Sequence, residues 1–171
     1  TSPDDNLDYG VEGDSAARAQ LVILGANPRD YGSVVSGGGT ADIQFTVQNL
    51  GGIDATSVAG SFLTGTNWSW PGGTYPGEAL AGSCGDPILP TPGGDCTITV
   101  RFNPTSNGVL SDQVRLDYDD GTGAAPTTTL DVDGTGVAPT VLSLSAGVAD
   151  FGDVAIGGSS ATIPITITYT G

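Results

Sequence analysis

Lysine, histidine and methionine are absent from this chain, and its only cationic side chains are four Arg set against nineteen acids, seventeen of them Asp. Without His or Lys there is no Ser-His-Asp triad, no Schiff base and no histidine acid or base. The usual haem axial ligands disappear with His and Met, and a Lys-Asn isopeptide bond disappears with Lys. A carboxylate pair of the glycosidase kind stays open in principle. The only Glu residues, however, are Glu12 and Glu78, and no motif surrounds either. A formal charge of −15 argues against binding nucleic acid, whose phosphates need a positive surface, and against anionic membrane surfaces. It favours solubility, contact with cations or a salty exterior. No apolar run is long enough to cross a bilayer as a helix. Beginning at Thr1 without Met, the chain reads as mature material, with any signal peptide or anchor outside the given sequence.

Cysteine is nearly absent too. Cys84 and Cys96 flank a short Pro/Gly loop, and no other metal-type ligand lies close in sequence. A zinc site needs four donors, so a disulfide is favoured, with a pair of free thiols as the alternative. A disulfide implies an oxidising location, and closing so short a loop stabilises by about 3 kcal/mol in the chain-entropy model.

Where apolar residues occur, they alternate with polar ones. Ala41, Ile43, Phe45 and Val47 interleave with Asp42, Gln44, Thr46 and Gln48, and Ile98, Val100 and Phe102 interleave with Thr97, Thr99 and Arg101. Val114, Leu116 and Tyr118 continue the pattern, as do Leu130 and Val132. Period-two alternation describes strands with one buried and one wet face. Glycine-rich turn signals separate them at Gly37-Gly38-Gly39, Gly51-Gly52, Pro71-Gly72-Gly73, Asn107-Gly108 and Asp120-Gly121. No stretch has helical periodicity. The expected fold is all-β, an immunoglobulin-like antiparallel β-sandwich of about seven or eight strands.

The chain also repeats itself. Leu21 to Gly51 and Val141 to Gly171 match without gaps at a spacing of 120 residues, with eleven identities. Asp30-Tyr31-Gly32-Ser33-Val34 recurs as Asp150-Phe151-Gly152-Asp153-Val154. A fixed long period marks one folding unit used in series. The expected division is an acidic N-terminal extension at residues 1–19, a complete sandwich at 20–136, a linker at 137–140 and the first strands of a second module at 141–171. Pro139 limits the freedom of the connector.

Three segments are candidate sites. Asp117, Asp119 and Asp120 precede Gly121 and offer hard oxygen ligands at a bend, as Ca²⁺ prefers. Thr128 stands where an EF-hand needs a bidentate Glu, and a solvated hairpin turn is the alternative. Trp68, Trp70 and Tyr75 form the most aromatic segment. Exposed, they could stack on carbohydrate or anchor a subunit; otherwise they pack in the core or loop. Asn67-Trp68-Ser69 is an N-glycosylation sequon.

The run Cys96-Thr97-Ile98-Thr99-Val100-Arg101-Phe102-Asn103-Pro104-Thr105-Ser106-Asn107-Gly108 resembles the "CTVTVTFTPTATG" segment of bacterial choice-of-anchor D repeats, relatives of the ASPM-SPD2-Hydin (ASH) immunoglobulin-like domains. Leu130 to Gly136 resembles their closing strand, and Asp150 to Gly157 their opening "DFG.V.VG" strand. The resemblance implies non-catalytic modules of secreted or surface proteins, used as stalks, spacers or adhesive repeats, and a cysteine upstream that partners Cys96. The insert from Asn67 to Pro92 departs from the pattern.

The second copy supplies an opening strand and an alternating strand through Ala161, Ile163, Ile165, Ile167 and Tyr169. Two strands alone cannot bury an apolar face in water. Either the array continues, or Ile163, Ile165, Ile167 and Tyr169 are donated to another molecule, although Pro164 removes one ladder donor. The functional expectation is an extracellular, non-enzymatic structural protein that forms a fibre or homo-oligomer with copies of itself and needs no cofactor. The alternative is an adhesin or carbohydrate-binding module working through Trp68 and Trp70.

Overall fold

The computed structural model describes residues 16–78, 81–90, 94–145 and 149–171. Most of the acidic extension, Glu12 included, and Pro92 at the end of the insert lie outside the described residues.

The alternating segments become strands whose apolar faces meet. β3 (Ala41–Asn49) pairs antiparallel with β6 (Cys96–Phe102), setting Ile43 opposite Val100 and Phe45 opposite Ile98. Residues directly opposite share a face, so this register stacks apolar on apolar. β1 (Leu21–Leu24) flanks β3, and the two-residue β5 (Trp68–Ser69) flanks β6. The second sheet runs β2 (Arg29–Val35), β8 (Thr127–Val137), β7 (Gly108–Asp119) and β4 (Thr56–Phe62), in that order.

Between the sheets lie Phe45, Val47, Ile98, Val100 and Phe102 from one side and Val114, Leu116, Leu130 and Val132 from the other, all buried. This two-sheet order is that of an immunoglobulin-like sandwich. One pair departs from the antiparallel expectation: β2 runs parallel to β8. The opening strand is split at Gly25 to Pro28, so β1 joins one sheet and β2 the other. Pro28 has no N–H to give a ladder, which suits it to the crossing.

Polar contacts tie the layers together. The Tyr31 hydroxyl donates to the Val100 carbonyl at 3.0 Å, joining β2 to β6, and the Tyr118 oxygen accepts from Leu21 N at 3.1 Å. The most buried polar side chain is Asn49. Its Nδ2 donates to Ile53 O and Ile88 O, and its Oδ1 accepts from Gln20 N and Gly51 N, so each of its groups is satisfied. Through Asn49 the start of the chain, the β3–β4 turn and the insert share one anchor.

The described residues ahead of β1 belong to this sandwich. Gly52 N donates to Ala17 O at 2.9 Å, Ala19 N donates to Asp120 O at 3.2 Å, and Ala19 is buried. The sandwich therefore begins by Ala17 rather than at residue 20.

The second copy forms much less structure. β9 (Val141–Leu144) pairs antiparallel with β10 (Ile167–Thr170). The long strand expected through Ala161 to Tyr169 shrinks to its last few residues, and Asp150 to Ala155 form no strand. In the first copy those segments hydrogen-bond to β6 and β8, respectively. No counterparts of β6 and β8 follow in this sequence, so the backbone has no ladder partner there.

Candidate functional site

The two indoles of the insert are buried. Trp68 is 2 % exposed, its ring centroid 4.7 Å from that of Phe102 and 6.4 Å from that of Tyr31. Trp70 is 8 % exposed, 4.8 Å from Phe62 and 5.4 Å from Tyr75. Both indoles fill space at the side of the sandwich, so the expectation of an exposed Trp68/Trp70 surface for carbohydrate is corrected. The physical reason is Gly60 on β4. A Cβ there would lie 2.3 Å from Tyr75 Cδ2 and 2.7 Å from Trp70 Cζ2, so only a bare backbone lets the aromatic rings close over this edge. Burial, with Asp86 adding repulsion, pushes the Tyr75 phenol up to about 12.

The rest of the insert runs along β6 and satisfies its outer edge. Thr99 N donates to Pro76 O at 2.9 Å, Thr97 N to Gly82 O at 2.8 Å, and Cys84 N to Thr97 O at 2.9 Å. The Cys84–Cys96 disulfide, with Cα atoms 4.7 Å apart, fixes this arrangement where β6 begins. Ala55 and Ile88 exchange a pair of backbone hydrogen bonds at 3.0 and 2.9 Å, fastening the far end of the loop. Because β5 is only two residues long, β6 would otherwise present unpaired donors and acceptors; the insert covers that edge. Glu78 sits on it, exposed.

The acidic turn is likewise built from internal bonds. Asp117 accepts from the Thr127 hydroxyl. Asp119 Oδ1 accepts from Gly121 N at 2.8 Å and Gly123 N at 3.3 Å, while Asp120 Oδ1 accepts from Thr122 N and Oγ1 at 3.0 and 2.6 Å. The Thr122 hydroxyl bond holds the Asp120 carboxyl below its ordinary range, and Arg18 stands 3.8 Å from its other oxygen. Asp119 and Asp120 each close a local turn, and Asp117 bonds across to Thr127 on β8, so the three carboxylates do not converge. Among the described residues no three His, Cys, Asp or Glu side chains are grouped as metal ligands. These internal bonds are those of the hairpin-turn alternative for Asp117, Asp119 and Asp120.

Asn67 is half-buried. Its Oδ1 accepts from Thr105 N and Oγ1, both at 3.0 Å, bracing the loop before β7.

Asp112, buried at the start of β7, went unnoticed in the alternating pattern. It accepts from Thr64 N, Thr64 Oγ1, Gly65 N and Gln113 N at 2.8 to 3.0 Å. Burial opposes its ionisation, but these four donors outweigh burial and keep its pKa below the ordinary value. On the outer face of the first sheet, Arg101 binds Asp42 bidentately, both contacts at 2.7 Å, which lowers the Asp42 pKa.

The remaining candidates are the strand-donation residues. Leu142 faces Tyr169 and Leu144 faces Ile167, so all four lie on one face of the β9–β10 pair, and all are exposed. Ile165 is exposed as well and Ile163 is half-buried. The register has slipped by one residue between copies: Leu24 faces Thr46, whereas its counterpart Leu144 faces Ile167, the counterpart of Val47. The sequence explains the slip. Inward residues of β1 are Leu21 and Ile23, but the apolar residues of β9 suited to a common face are Leu142 and Leu144. Shifting the partner by one keeps apolar residues together.

The strand order and the closed two-sheet core define the class of the first module, an immunoglobulin-like β-sandwich. No protein-family model and no curated protein matches the chain. Among solved structures, it is similar to the ASH / PapD-like domain 7 of human CEP192, with 12 % identity and a TM-score of 0.47, covering 81 % of this chain and 99 % of that one. It is similar also to a CARDB domain from Pyrococcus furiosus in complex with di-metal ions, at 17 % identity and a TM-score of 0.38, covering 72 % of this chain and all of that one. A third likeness is to a family 123 glycoside hydrolase from Clostridium perfringens, at 9 % identity and a TM-score of 0.40. It covers 71 % of this chain and 27 % of the enzyme. At these scores the likenesses carry no functional argument, and the assignment rests on the strand order itself.

Proposed function

We propose that this chain is a non-catalytic structural segment of an extracellular or cell-surface array, in which a closed immunoglobulin-like module acts as a spacer and residues 141–171 open the next module. The observation that carries this reading is the apolar face of Leu142, Leu144, Ile167 and Tyr169. Val47 and Asn49, the counterparts of Ile167 and Tyr169, lie in the sealed core of the first copy, whereas all four residues of this face are exposed. An exposed apolar face on a two-stranded pair, part of it at positions that are core in the first copy, supports a unit completed by further strands. The disulfide suits an oxidising exterior, and the charge of −15 keeps such a surface soluble.

Closure of the first module narrows how the array assembles. Val47, Val100, Phe102, Val114, Leu116 and Val132 are fully buried, and both of its sheets are four-stranded. Among the described residues the first module already has paired strands and a sealed core, so this reading takes the strands completing the 141–171 face from the same polypeptide or from another incomplete second copy. Electron microscopy of the native material, paired with intact mass, tests the proposal. Regular filaments or a string of modules are expected. Dispersed particles of a single module, at the mass of 16.9 kDa, would overturn it.

A further inference from the structure

Three features bear on the junction between copies. First, the first module runs from Ala17 to Val137, which fills the 120-residue repeat period and overlaps the next copy's first position by one, so the repeat leaves no room for a spacer. Second, the 120-residue step places Val137-Ala138-Pro139-Thr140 opposite Ala17-Arg18-Ala19-Gln20. The latter is no tail in the first copy. It is bonded to Gly52 and Asp120 and covered by Gly51, where a Cβ would lie 2.0 Å from Arg18 O. Third, the second copy has a similar contact displaced by one residue, as its strand register is. At Gly171, the counterpart of Gly51, a Cβ would lie 2.9 Å from Thr140 Cα and 3.2 Å from Pro139 O.

On the other side, Val137 still belongs to the first module. It pairs with Val35 as the last residue of β8, and its carbonyl accepts from Ser36 N at 2.8 Å and from Ser36 Oγ at 3.2 Å. Only Ala138 stands between a residue held by one module and residues held by the next. Ala138 precedes Pro139, which excludes it from helical backbone and fixes the following φ.

From this juxtaposition we infer that successive modules share a hinge-free, one-residue junction, making the array a stiff spacer of fixed repeat length rather than beads on a flexible string. The inference rests on the array reading, and it assigns Val137 to Thr140 to structure instead of a linker.

The test is a tandem in which residues 1–140 are followed directly by residues 21–136, so that the native junction leads into a complete second sandwich. Backbone amide order parameters at Ala138 and Thr140 are expected to match rigid strands, about 0.85, and to fall below about 0.6 when four Gly-Ser residues are inserted after Ala138. Small-angle scattering is expected to fit one elongated particle for the native junction and a spread of shapes for the insertion. Low order at Ala138 in the native junction, or scattering that the insertion leaves unchanged, overturns the inference. Should the tandem not fold as two modules, the same amides are read in the 171-residue chain. Strand-like order at Thr140 there supports the junction, and the order of a mobile tail overturns it. A stiff tandem beside native material that forms no array would sink the array reading and leave the junction standing; flexible tandems beside native filaments would do the reverse.

Discussion

Val47 and Ile167 occupy the same place in two copies of one motif, yet Val47 is fully buried and Ile167 is 66 % exposed. Phe45 and Ile165 differ in the same way, at 3 % and 52 %. The two segments share eleven of thirty-one residues and the same alternation, the main local difference being Pro164 in place of Gln44, which removes one ladder donor. What separates them is supply of partners. β3 becomes a nine-residue strand because β1 and β6 lie on either side of it, whereas its counterpart pairs only with β9 and is a strand for four residues. Strand formation here is a property of the completed sheet: the opening motif is core in the first copy, where β6, β7 and β8 complete the sandwich, and is exposed in the second.

The sharpest way to break this comparison is to remove side chains at equivalent depth. Phe102→Ala, in the sealed core, is expected to cost about 3–5 kcal/mol, read from the urea midpoint of the chain. Reducing the Cys84–Cys96 bond, or replacing both cysteines by Ser, is expected to cost about 3 kcal/mol by freeing the insert in the unfolded chain, again seen as a lower midpoint. Gly60→Ala forces a methyl against Tyr75 and Trp70 and should cost about 1–3 kcal/mol, with a change in tryptophan fluorescence as the rings move.

Asp112 supplies a pH-dependent test confined to the first copy. Its folded pKa lies below the unfolded value of 3.8, so its contribution is present above that value and is lost as pH falls through the lower folded one. Asp112→Asn is therefore expected to lower stability at neutral pH by about 1–2 kcal/mol and to flatten the acid limb of the stability curve. Equal slopes in variant and parent would contradict that assignment. The smallest effect belongs to the second copy: Ile167→Ala should change the unfolding midpoint of the isolated chain by no more than about 0.5 kcal/mol.

Much of the sandwich was legible in the sequence. Alternation at Ala41–Val47, Ile98–Phe102 and Val114–Tyr118 gave the central strands their faces, because inward positions in a two-layer fold must be apolar at every second residue. The parallel β2–β8 pair was not legible, since Arg29 to Val35 carries a register irregularity between Asp30 and Ser33 that blurs its period. The burial of Trp68 and Trp70 was equally hidden: Trp68 packs on Tyr31 and Phe102, more than thirty residues away in sequence, and Trp70 closes against Phe62 only because Gly60 has no side chain. Asn49 and Asp112 looked like surface polar residues, and only the backbone donors and acceptors that turns bring around them show why they are buried. The turn bonds of the candidate calcium residues were hidden for a related reason. Spacing along the chain could not show that Asp117, Asp119 and Asp120 would be occupied by Thr127, Gly121, Gly123 and Thr122.

Amide hydrogen exchange on the dilute chain tests the central contrast most directly, because both copies are read in one molecule under one condition. The account expects the hydrogen-bonded amides of β3 to exchange only when the sandwich unfolds globally, and those of β10 to exchange far faster through local opening. Equal protection in β3 and β10 would contradict it, since the second copy would then be a finished structure rather than a face still awaiting its partners.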